Sequence, residues 1–269
     1  MKSQIRHLFS LVVLAGAAAV AGCAGSPHKV PEAGAVTDVL LLGERHDAPA
    51  QMTRVTEELK RMTARDGLAV LAIEMAPAGT STAALSRAAA APAIRQALAW
   101  NDKAWPWDRY AAPISAAVAA GVPVVGANLP QDQITTAMAD VSLDAQLTDA
   151  ARRQLATLIR ESHCGLMPEN RIAPMVRVQI ARDRSMAHTL AESVVAGRTA
   201  VLLSGAAHAD LELGVPQHLP TQLTIRSIAM VAEGDSPAGR FDGLWATPAA
   251  RAGDPCAALA LQLPDKPRR

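Results

Sequence analysis

Five polar residues stand at the ends of apolar runs: Glu44 and His46 after "VLLLG", Glu74 within "LAIEM", Asn128 after "VVGA", and His208 after "VLLSGAA". Two carboxylates and two imidazoles on a common edge could ligate a divalent metal, activate water, or hold the iron and propionates of a porphyrin. Each residue also has an ordinary reading: Glu44 caps the following helix, His46 is a satisfied loop histidine, and His208 merely starts a helix. Glu44 and His46 are two apart, so on extended backbone their side chains point the same way. A second set lies in a helical stretch, where Gln179, Asp183 and Met186 share one face by the i, i+4, i+7 rule and Arg182 needs a partner elsewhere. A solvated helix face with exposed arginines would read the same way.

These positions share an edge only if the runs are strands of one sheet. The runs 38–44, 68–75, 122–128, 199–205 and 222–231 are apolar and β-rich, and helical segments separate them, which predicts an α/β fold: a mostly parallel sheet with helices on both faces. The first four are nearly continuously hydrophobic, as buried parallel strands are. In such a sheet ligands bind beyond the carboxyl ends of the strands, where the five polar residues fall. "PAQMTRVTEELKRMTARDG" reads as an amphipathic helix with Pro49 near its start, Gly67 at its end and Met52, Val55, Leu59 and Met62 as core. Residues 139–197 read as a helical insertion forming a small subdomain, with "SHCGLMPENR" linking two long helices. Residues 233–269 read as an irregular extension with one edge strand at "FDGLW".

The chain has 269 residues, half of them apolar, and a formal net charge of +1. That suits one sizeable globular domain, spanning about 37–232, and shows no electrostatic footprint for nucleic acid. Residues 1–22 read as a secretory signal: Lys2 and Arg6 precede an apolar, small-residue run. "VAGC" resembles the lipobox of bacterial lipoproteins, which implies a lipid anchor at Cys23, a tether over 23–36 and, with Ala24 following, the outer membrane facing the periplasm. In that compartment Cys164 and Cys256 either pair, stapling the tail to the body, or remain free.

In order along the chain, "LLGERHD", "LAIEM", "WDRY", "VVGANLP", "SHCG" with Met167 three residues on, "QIARDRSMA" and "SGAAH" together resemble the ChaN-like haem-binding lipoproteins of the Tiki and erythromycin esterase-like superfamily. The resemblance implies a membrane-tethered protein that binds haem for iron uptake. In that family haem is held as a stacked pair between two subunits with a tyrosine on iron, which implies a homodimer. Tyr110 is the only tyrosine here. It is therefore the ligand implied, with Trp105 and Trp107 stacking on the macrocycle, unless all three rings pack the helical region against the sheet. The haem set implied comprises Tyr110, His46, Glu44, Glu74, Trp107, Asn128, His163, Met167, Gln179, Arg182, Asp183 and His208. The hydrolytic relatives imply an alternative, a peptidase or esterase in which Glu44, His46, Glu74 and His208 activate water, with His46 and His208 as nitrogen ligands to zinc or manganese in the metal-dependent form. A purely structural envelope protein leaves the polar strand ends unexplained.

Overall fold

The computed structural model describes residues 37–249 and Cys256. The chain runs β1 (Val39–Glu44), α1 (Pro49–Thr63), β2 (Leu68–Pro77), α2 (Ala91–Ala97), α3 (Trp107–Ala120), β3 (Val124–Asn128), α4 (Ile134–Ala139), α5 (Asp149–Ser162), α6 (Ile172–Glu192), β4 (Thr199–Gly205), α7 (Ala206–Ala209), β5 (Ile225–Ala232) and β6 (Gly243–Thr247). The six strands form one sheet in the order β3-β2-β4-β1-β5-β6, and every pair of neighbours is parallel. Among the described residues no helix is long and apolar enough to cross a membrane.

Alternation along the strands sends side chains to two cores. Leu40 and Leu42 of β1 and Leu71 and Ile73 of β2 pack with Met52, Val55 and Leu59 of α1 and Ile114 of α3. Their neighbours Val39, Leu41, Val70 and Ala72 face the other way, onto Met186, Ala187 and Leu190 of α6. Because successive strand residues point to opposite faces, a run of unbroken apolar residues is what a sheet covered on both sides requires.

Between β3 and β4 the chain builds a helical layer with its own core. Leu143, Leu155, Ile159, Ile172, Val176 and Ile180 are buried against one another there. The helix α6 belongs to both layers: its first half closes this core and its second half lies on the sheet. Arg177 ties the layer together through a two-pronged pair to Asp144, at 2.9 and 2.8 Å, and a third bond to the Met138 carbonyl. The link between α5 and α6 is bonded to the tail: Cys164 and Cys256 form a disulfide, with Cα atoms 5.6 Å apart.

At "FDGLW" the chain adds β6 in parallel beside β5, with Arg54 lying over the Trp245 ring at 4.8 Å. The signal, lipobox and tether readings fall on residues 1–36, outside the described residues.

Candidate functional site

β1, β4 and β2 are neighbours in the sheet, and their carboxyl ends deliver the site. Glu44 ends β1 opposite Gly205, the last residue of β4. The chain then turns toward α1, fixed by Gln51, whose Oε1 accepts the Arg45 amide at 2.7 Å. This turn holds His46 over the sheet edge, with Nδ1 2.5 Å from Glu44 Oε1 and Nε2 3.9 Å from Glu74 Oε2. A Cβ on residue 205 would stand 2.9 Å from His46 Nε2, so the glycine there leaves the space the imidazole uses. The backbone amide of Gly205 donates to Glu74 Oε2 at 2.8 Å.

His208, on α7 just beyond Gly205, completes the row. Its Nε2 lies 3.3 Å from Glu74 Oε1 and its Nδ1 2.5 Å from Asp183 Oδ1 of α6. The Gln179 amide nitrogen stands 3.1 and 3.2 Å from the two nitrogens of that ring. Thus α6 brings Gln179 and Asp183, one turn apart, onto the strand-end histidine. Asn128 donates to the Glu74 carbonyl at 2.9 Å, which pins β3 to β2 beside the site.

Burial controls the charges. His208 loses solvation, yet the carboxylates of Glu74 and Asp183 outweigh that loss and push its pKa up to about 10. Burial likewise works against an ionised Glu74, but the His208 charge prevails and its pKa falls to about 2. For Asp183 burial dominates, and His208 offsets only part of it, so its pKa rises to about 6. The physical reason is arithmetic: two buried carboxylates share one imidazolium, and the less compensated one keeps its proton longer. Burial also opposes a charged His46, but Glu44 and Glu74 raise its pKa above the ordinary histidine value. His46 is the open member of the row, its side chain 39% exposed beside carboxylates that are nearly sealed.

The implied iron ligand Tyr110 takes a different place. Its side chain is fully buried, and its hydroxyl donates to Glu44 Oε1 at 2.8 Å. Burial and then the Glu44 charge hold the phenol far above its usual pKa, so it stays protonated. Four rings pack together: Tyr110 meets Trp105 at 6.1 Å and Trp100 at 5.9 Å, while Trp100 stands edge-on to Trp107 at 5.0 Å. Trp105 also packs edge-on to His46 at 4.8 Å.

The metal-ligand alternative meets a related obstacle at His208, where Asp183 and Glu74 engage both ring nitrogens. Among the described residues no group of three or more His, Cys, Asp or Glu side chains has the geometry to hold a metal ion.

The implied residues thus divide. Glu44, His46, Glu74, Asn128, Gln179, Asp183, His208 and Tyr110 form one connected row. Arg182 is half-buried, and its Nε is buried with no hydrogen-bond partner. His163 and Met167 lie away from the row, in the α5–α6 link, where Met167 packs on the helical core. Glu44 Oε2 and Asn128 Oδ1 are likewise buried and unpartnered. Sequence reasoning missed Arg109, which donates to the His46 carbonyl from within "WDRY", and Gly205, whose amide holds Glu74. For Arg109 the signal was present, an arginine beside the scarce aromatics; for Gly205 a backbone amide leaves no sequence signal.

Comparison with solved structures places this architecture beside a ChaN from Campylobacter jejuni, described as binding haem cofacially. The two are 23% identical, with a TM-score of 0.62, over 75% of this chain and 84% of that one. A MARTX toxin effector domain from Vibrio vulnificus CMCP6, 15% identical, matches 73% of this chain and 34% of its own length at a TM-score of 0.38. No curated protein matches the chain. The sequence profile described as "Haem-binding uptake, Tiki superfamily, ChaN" matches residues 32–219, well over half of the sequence. The protein therefore belongs to the ChaN family of haem-binding uptake proteins, within the Tiki superfamily.

Proposed function

We propose that this protein binds haem as part of haem or iron uptake, as a lipoprotein anchored at Cys23 in the outer membrane and facing the periplasm. The observation that carries the haem reading is the family match over residues 32–219. The fold shared with the Campylobacter protein supports it. When bound, haem would supply an iron centre that takes donors from the protein.

The anchor reading is supported by the basic, then apolar, then "VAGC" order of residues 1–23. The Cys164–Cys256 disulfide suits an oxidising compartment such as the periplasm. A homodimer around stacked haems is the arrangement suggested by the cofacial haems described for the Campylobacter protein.

The test is an absorbance titration of protein lacking residues 1–22 with ferric haemin. A saturable Soret shift at about one haem per chain is expected, and sedimentation of the loaded protein should show a dimer. Absorbance identical to free haemin throughout the titration would sink the haem reading. Growth of cells in radiolabelled palmitate tests the anchor: label should enter the wild type and not Cys23→Ser.

A further inference from the structure

We infer that a cleft at the amino edge of the sheet receives the phosphate of an anionic phospholipid headgroup and so seats that edge on the membrane; the inference rests on the reading of Cys23 as a lipid anchor. The cleft encloses about 560 Å³ and is lined by Thr37, just before β1, by Gly67, just before β2, and by Thr199, where β4 begins. These are the amino ends of the three strands whose other ends lead to Glu44, Glu74 and His208. The cleft and the strand-end row therefore lie at opposite edges of the sheet.

Four guanidiniums line the cleft, those of Arg54, Arg61, Arg65 and Arg226, against one carboxylate, Glu58. Arg61 already answers Glu58, donating to it through Nε at 2.9 Å and through Nη2. Arg54 lies over the Trp245 ring and reaches the exposed Glu57 at 3.7 Å. Arg65 and Arg226 are exposed, and among the described residues neither guanidinium has an ion pair or a hydrogen bond.

Cations at the carboxyl end of a helix are ordinarily accounted for by the helix dipole. That covers Arg61 and Arg65, at the end of α1, but not Arg226, which comes from β5. Arg226 is the one exposed residue of a strand otherwise buried along its length. It stands level with Leu40 of β1, on the face of the sheet that α1 covers. A covered sheet face calls for an apolar side chain there. The cation makes sense once an anion in the cleft supplies its counter-charge. Guanidiniums hold phosphate oxygens in pairs, and a cleft lined by one sign of charge concentrates the opposite ion.

The source of that phosphate follows from where the chain enters the domain. Thr37 lines the cleft, so of the two sheet edges this is the one that the tether joins. From Cys23 to Thr37 the chain spans at most about 3.6 Å per residue, which keeps the cleft within about 50 Å of the leaflet holding the anchor. Trp245, half-buried in the cleft wall, adds an amphipathic ring of the kind that settles at headgroup level. With this edge against the lipid, the row containing His46 faces away from the membrane.

The experiment is co-sedimentation of residues 23–269 carrying Cys23→Ser, and so no lipid, with phosphatidylcholine vesicles made with and without phosphatidylglycerol. The protein should bind the phosphatidylglycerol vesicles, and sodium chloride should release it. Arg65→Gln with Arg226→Gln should weaken that binding at least about tenfold. Arg153→Gln with Arg171→Gln removes the same charge from exposed positions outside the cleft and should stay within about twofold of the parent. Equal losses in the two double variants would overturn the cleft, and so would no binding to either vesicle. Titration with inorganic phosphate separates the sources: saturable phosphate binding by a protein that ignores vesicles overturns the lipid assignment. Because the test protein carries no lipid, the result is independent of palmitate labelling. Label on Cys23 without vesicle binding overturns the headgroup inference alone, whereas cleft-dependent vesicle binding without label upholds it while the anchor reading falls.

Discussion

Nδ1 of His208 lies 2.5 Å from Oδ1 of Asp183, and both side chains are sealed from solvent. The partner on the other side is Glu74, so one imidazolium sits between two buried carboxylates. That imbalance of charge gives the site a definite response to pH.

His208 has a pKa raised from 6.5 to about 10, so its stabilising charge is fully present below pH 6.5 and is lost as pH rises through about 10. Glu74, lowered from 4.5 to about 2, contributes above pH 4.5 and loses that contribution as pH falls through about 2. Asp183 runs opposite to a usual carboxylate: raised from 3.8 to about 6, its contribution is complete below pH 3.8 and is lost as pH rises through about 6. Unfolding free energy measured in urea should therefore decline between pH 6.5 and 10. Asp183→Asn removes one of the two anions that hold the proton on His208, so the decline should end at a lower pH and be smaller in total. Superimposable pH profiles for the two proteins would show that Asp183 does not hold that proton.

Tyr110→Phe removes the donor to Glu44 Oε1, while Oε2 of the same carboxylate is already without a partner. A buried carboxylate that loses a hydrogen bond costs about 1–3 kcal/mol. Denaturant unfolding should show that loss, and a variant as stable as the wild type would mean that Glu44 finds another donor.

The disulfide joins residues 92 apart in sequence. Closing a loop of that size restricts the unfolded chain, and bridges of this kind typically contribute about 2–4 kcal/mol. Cys164→Ser with Cys256→Ser should destabilise by that amount, and reductant should lower the wild-type midpoint toward the variant's. Two alkylatable thiols in unreduced protein would remove the basis of the prediction.

Gly214 has no room for a side chain: a Cβ there would meet the His208 carbonyl oxygen at 2.2 Å and its carbon at 2.6 Å. Since backbone atoms cannot swing aside, Gly214→Ala should cost at least about 1–3 kcal/mol and displace His208. At Gly67 a Cβ would make only an ordinary contact, with the Met62 carbonyl oxygen at 3.5 Å, so Gly67→Ala should stay within about 1 kcal/mol of the wild type. Equal thermal midpoints for the two variants would refute the comparison.

Much of this architecture is written locally in the chain. "VLLLGE" and "TAVLLSG" are buried along their whole length, and only a parallel sheet covered on both faces accommodates such unbroken apolar runs. Because strands of such a sheet end on a common edge, Glu44, Glu74 and His208 could be placed together before any distance was known. The spacing of Gln179 and Asp183 likewise put them on one face of a helix. Local sequence did not say which element that face would meet; the crossing of α6 over the end of β4 sets Asp183 against His208. Nor could it say that Tyr110 is sealed beneath the site, because exposure depends on how α3 and its tryptophans pack on the sheet. The direction of the His163 ring and the partner of Cys164 were also decided in three dimensions, by a carbonyl one turn away and by a cysteine 92 residues on. Sequence periodicity determines which side of an element is apolar; which polar groups lose water together is decided by the packing of elements distant in the chain.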